Sequence, residues 1–104
     1  MRNFFAIAGL LLCGTASASV DFCKEVDGVA KSVMSARQRG VAMPDVYAVT
    51  DKMDGYLQGL FRMAIKEAYA KPRFSSEEYQ EKAVADFRSE MFQACLSGED
   101  DKKP

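Results

Sequence analysis

The chain contains no histidine. That absence removes the side chain that titrates near neutral pH, the usual general acid or base and the commonest metal ligand. There is no glycine-rich phosphate loop and no serine set in a nucleophile-elbow pattern, so phosphoryl transfer and acyl transfer lack their usual signatures. Carboxylates do pair, as Glu77/Glu78 and Asp86/Glu90, but they fall on polar positions of a helical pattern and read as solvated faces. A glycosidase also needs a cleft between its carboxylates, which a short helical chain has little material to build. The expectation is a protein that is not an enzyme, with no cofactor and no metal.

Long apolar runs are also scarce. The longest, Phe4–Cys13 (FFAIAGLLLC), has ten residues and would rise about 15 Å as a helix, against a hydrocarbon core roughly 30 Å thick. Arg2 stands before it and Ala16-Ser17-Ala18 after it, which is the charged, apolar and small-residue plan of a secretory signal peptide. Cys13 could suggest a lipoprotein, but Leu12 occupies the preceding place where a small residue is wanted. Residues 1–18 are therefore expected to be removed, leaving a domain over 19–98 and a solvated, disordered tail over 99–104. The expected location is periplasmic, or secreted, with no membrane insertion after cleavage.

Charge of one sign is missing as well. Fourteen basic residues face fifteen acidic ones, for a net charge of −1, and loss of Arg2 moves it to −2. Such a surface gives no electrostatic case for nucleic acid, which needs clustered Lys and Arg, nor for adhesion to anionic lipid. After cleavage Cys23 and Cys95 are the remaining cysteines. They stand too far apart for a CxxC motif, and an even number in an oxidising compartment points to a disulfide. In the chain-entropy treatment a bond closing so long a loop contributes about 4 kcal/mol.

What the chain does have is helical periodicity. Phe22, Cys23, Val26, Val29, Ala30, Val33 and Met34 recur at three- and four-residue spacing and predict a first helix over 21–39. Arg37 and Arg39 complement its last carbonyls, and Gly40 supplies a left-handed stop. A shorter helix is expected from Pro44 to Lys52, then a break at Asp54-Gly55. Tyr56–Tyr69 is the most apolar segment after the leader, and the domain is expected to wrap around it. Pro72 ends that helix at Lys71. Ser75 and Glu78 then predict a capping box, with Phe74 and Tyr79 as its hydrophobic staple. The fourth helix should reach Leu96 and stop at Gly98. The fold expected is all-α: a four-helix domain, two long and two shorter, with the disulfide joining the start of the first helix to the end of the last.

Three sets of residues are candidates for recognition. Tyr69, Arg73 and Phe74, with Tyr79, combine side chains favoured as interface anchors, although Phe74 and Tyr79 also serve the helix start. Arg37 and Arg39, with Gln38 and Gly40 between and after them, could hold a carboxylate or phosphate, although a helix-end role is sufficient. Met34, Met43, Met53, Met63 and Met91 could form an adaptable surface, but most sit at core spacing.

At these same positions the chain resembles an uncharacterised family of small secreted proteins from proteobacterial genomes, prophages and tailed phages. The pattern is Cys23, Met34-Ser35-Ala36-Arg37-Gln38-Arg39-Gly40 and Ala68-Tyr69-Ala70-Lys71-Pro72. It continues through Phe74, Ser75, Glu78, Tyr79, Lys82, Ala83, Phe87 and Cys95. The resemblance implies a shared helical fold and disulfide and a mobile-element origin; no activity comes with it. The functional expectation is a non-catalytic protein that binds another envelope protein, of inhibitor, immunity or exclusion type. The alternative is a periplasmic holdase-like chaperone.

Overall fold

The structure, a computed structural model, describes the backbone over residues 2–101 and side chains over residues 20–98. Four α-helices follow one another: α1 (Arg2–Gln38), α2 (Met43–Val49), α3 (Gly55–Tyr69) and α4 (Glu77–Asp101). A 3-10 turn, Thr50–Lys52, extends α2. The all-α, four-helix expectation holds, and so does the disulfide: Cys23 and Cys95, 72 positions apart, have Cα atoms 5.6 Å from each other.

The bond fixes the topology. Cys23 faces Cys95, Asp27 meets Arg88, and Gln38 meets Phe74, so α1 and α4 run antiparallel. Phe22 meets Tyr56 and Arg37 meets Lys71, so α3 runs parallel to α1 and the chain goes up, down, up and down. The core consists of Val26, Val29, Ala30, Val33 and Met34 from α1, Leu60, Ala64, Ile65 and Ala68 from α3, and Phe87 and Met91 from α4. It is α1 that packs against both other long helices, whereas α3 and α4 scarcely touch. The expectation that the domain wraps around Tyr56–Tyr69 is thereby corrected. The stripe on α1 is wide enough to serve two neighbours, and the stripe on α3 serves one.

Helix ends show the local chemistry. Gly40 has φ 85°, and the Val41 and Gly40 amides return to the Ala36 and Arg37 carbonyls. These paired bonds close α1 as expected. At α4 the cap lies one residue later than the capping box requires. Ser76 rather than Ser75 accepts the Tyr79 amide, at 3.2 Å, and this places Tyr79 instead of Glu78 at the third helical position. The adjacent serines are equally competent, and the loop geometry selects the second. The Phe74 and Tyr79 rings still meet, with centroids 6.0 Å apart. The helix passes straight through Gly98, whose φ is not positive, so the stop expected there does not form. Residues 102–104 of the expected tail lie outside the described backbone, as do the side chains of the expected leader.

Short α2 lies on the outer side of α3. Thr50, 1% exposed, donates to the Tyr47 carbonyl at 2.7 Å and accepts from Arg62 Nε at 2.7 Å. Gln58 Nε2 donates to the Thr50 carbonyl at 2.9 Å, and the Arg62 guanidinium stacks on the Tyr47 ring, 4.8 Å from its centroid. These bonds direct α2 away from α4.

Candidate functional site

Two loci present themselves, one at each end of the bundle. At the upper end the fold brings together the residues singled out from sequence. The segment after α3 crosses the C-terminus of α1, so the Arg37–Gly40 and Tyr69–Phe74 stretches become one cluster. Its centre is Gln38, 2% exposed, which sequence reasoning treated as a spacer. Gln38 Nε2 donates to the Pro72 carbonyl at 3.0 Å, and its Oε1 accepts the Phe74 amide at 2.9 Å. Arg37 donates through Nε and Nη2 to the Lys71 carbonyl, at 3.1 and 3.0 Å, and lies 5.2 Å from the Tyr69 ring centroid. Arg73 Nε donates back to the Gln38 carbonyl at 3.0 Å. The Tyr69 hydroxyl donates to the Val41 carbonyl at 2.7 Å. Burial raises the Tyr69 pKa, opposed by the charges of Arg37 and Arg39.

These contacts also explain why α3 stops at Tyr69, two residues before the expected Lys71. The Lys71 and Pro72 carbonyls are drawn across to α1 instead of continuing a helix. Arg37, Tyr69 and Arg73 thus hold the chain to itself, which is a structural use of their hydrogen-bonding groups. Arg39 is exposed and Phe74 is 38% exposed, so these two present the outward part of the cluster.

At the lower end, beside the disulfide, lies a cleft of about 300 Å³ between α3 and α4. Leu60 and Met63 form one wall, Met91 and Ala94 the other, with Val26 and Cys95 below. Beyond Met91 the wall of α4 is small, with Ala94 and Gly98, and a Cβ placed on Gly98 would meet nothing within 4 Å. Phe22 and Tyr56 make the lip, their ring centroids 6.3 Å apart. The Tyr56 hydroxyl donates to Glu25 at 3.0 Å, and that bond, with the carboxylate charge, raises the Tyr56 pKa. Large apolar side chains stay in water around this cleft: Met63 is 44% exposed, Tyr56 63% and Phe22 37%. Of the methionines, Met34 and Met91 fill the core while Met63 does not, although all three sit at core spacing. No single-helix pattern encodes a gap between two helices, so the cleft has no signature in the sequence.

Electrostatically α1 and α4 are joined by one well-made pair. Arg88 donates to both Asp27 oxygens at 2.7 and 2.9 Å. The hydrogen bonds from Arg88 hold the Asp27 pKa below the ordinary carboxylate value, with help from the charges of Arg88 and Lys31 against partial burial. Asp27 therefore bridges helices rather than pairing along its own helix with Lys31. Among the described residues every buried side-chain nitrogen and oxygen has a hydrogen-bond partner, and no cluster of His, Cys, Asp or Glu is placed to hold a metal. No described helix is long and apolar enough to cross a membrane.

Compared with protein-family models, with curated proteins and with solved structures, the chain matches none. The geometry places a self-bonded cationic and aromatic cluster at one end and an open apolar cleft at the other.

Proposed function

We propose that the protein is exported and acts without catalysis, by binding another envelope protein as an inhibitor, immunity or exclusion factor. The observation that carries this reading is the cleft between α3 and α4. A domain this small leaves few large apolar side chains exposed by accident when they converge on one concavity. The disulfide beneath it suits an oxidising compartment, in keeping with the leader expected over residues 1–18. The polar residues at the other end are occupied with internal bonds, which favours a scaffold over a reactive site.

The test is crosslinking of the oxidised protein in intact host envelopes, with mass spectrometry and then reconstitution from purified components. A Cys23→Ser/Cys95→Ser double variant is the fold-impaired control. The reading expects one dominant partner, recovered near one to one and lost in the control. Many weakly held clients would favour the holdase alternative, and the absence of any partner would remove the binding reading.

A further inference from the structure

We propose that the cleft receives an amphipathic helix of the partner, basic along its flanks, which completes a four-helix bundle with α1, α3 and α4. This rests on the binding reading above and says what kind of element is bound.

The bundle is short of one wall. Three helices share the core, and α2, the only other α-helix among the described residues, has seven residues and is held on the far side of α3. The side where α3 and α4 face each other is therefore uncovered near the disulfide. A fourth helix laid there would set its apolar stripe on Leu60, Met63 and Met91 and bring its backbone close to Ala94 and Gly98. Small Ala94 and Gly98 on the α4 wall, and a flexible thioether on each wall from Met63 and Met91, suit ridge-into-groove packing of an added helix.

Area argues against a second copy of this chain as the occupant. Taking roughly 200 Å² for a whole large side chain, the exposed fractions of Phe22, Tyr56 and Met63 offer on the order of 300 Å². A stable pair of globular chains takes about 800 Å² from each. One helix lying in a concave seat needs only this stripe.

Charge sets the flank. Glu25 stands at the lip beside Tyr56, and Glu67 lies one turn beyond Met63 on the same face of α3. Asp86 and Glu90 line a separate pocket farther along α4, with Lys71. Lys71 pairs with Glu90 at 3.0 Å and Lys82 with Asp86 at 3.0 Å. Those two carboxylates are answered by lysines, which leaves Glu25 and Glu67 to make the flanks of the cleft negative, so Lys or Arg on the flanks of the incoming helix is favoured.

The test uses two labelled 18-residue helical peptides with the same leucine face, one with lysine and one with glutamate on the polar face. Binding to the oxidised protein is read by fluorescence anisotropy and by amide chemical shifts. The lysine peptide should bind one to one, at least ten-fold more tightly than the glutamate peptide, and shift amides of α3 and α4 around Met63 and Ala94. Ala94→Trp, which fills the cleft from an exposed position, should lower its affinity at least ten-fold without changing the melting temperature. Glu67→Lys should narrow the preference between peptides. Equal binding by wild type and Ala94→Trp would overturn the proposal. So would dimerisation of the protein alone, or laurate shifting the same amides when neither peptide does. An envelope partner captured stoichiometrically but unaffected by Ala94→Trp would leave the binding reading intact and remove this inference.

Discussion

Gln38 should hold the upper end of the bundle, and its replacement measures how much that clamp is worth. Gln38→Leu keeps the volume but removes the donor to Pro72 and the acceptor for Phe74. Each hydrogen bond is worth about 1 kcal/mol net, and an amide left without a partner adds about another. The expected loss is about 2–3 kcal/mol, or roughly 10–20 °C in melting temperature for a domain this small. Gln38→Glu should behave differently. Its carboxylate, 2% exposed in the parent geometry, faces the Pro72 carbonyl with no proton to give. Burial raises its folded-state pKa above the ordinary value of about 4.3. Stability should therefore fall as pH rises through the window between those two values and recover below it, where the protonated acid again donates. Urea unfolding at several pH values, with hydrogen exchange of the Phe74 amide, reads both effects. If both variants lay within about 0.5 kcal/mol of wild type, or Gln38→Glu showed no recovery on acidification, the clamp would not exist.

Three further outcomes follow from the geometry. Removing the disulfide with the Cys23→Ser/Cys95→Ser pair should cost about 4 kcal/mol, seen as a large shift in the urea midpoint that reductant reproduces in wild type. The depressed Asp27 pKa gives stability that is fully present above the ordinary carboxylate pKa and lost as pH falls through the folded value. Asp27→Asn should flatten that acid limb while lowering stability at neutral pH. Gly40→Ala puts a side chain at φ 85° with its Cβ 3.0 Å from Arg73 Nη2; about 1–2 kcal/mol should be lost, and Arg73→Ala in the same chain should return the steric part, as calorimetry can resolve.

Much of the fold was legible because single-helix periodicity carries it. The stripes on α1 and α3, the left-handed stop at Gly40 and the disulfide all follow from residue type and spacing. Other features depend on which elements become neighbours. The apolarity of Tyr56–Tyr69 says that it is buried, not that it is central, and α1 takes the centre because it packs against both α3 and α4. The loop geometry settles whether Ser75 or Ser76 caps α4, since either hydroxyl could. Gln38 looked like a polar residue in a final turn until the Lys71–Phe74 segment was laid over it. Leu57 and Met63 keep core spacing and yet are 37% and 44% exposed, because which part of a helical stripe is covered depends on the neighbours it meets.

The position of the disulfide has a mechanical consequence. Every core residue from Val26 to Met91 lies between Cys23 and Cys95, so tension applied to the two ends of the chain is carried across the S–S bond and bypasses the helices. A machine that unfolds proteins by pulling from one terminus would reach the crosslink before loosening the core, and would then have to draw in two strands together. The oxidised protein should thus resist processive threading far more than its thermodynamic stability alone implies, and a thiol reductant should abolish that resistance.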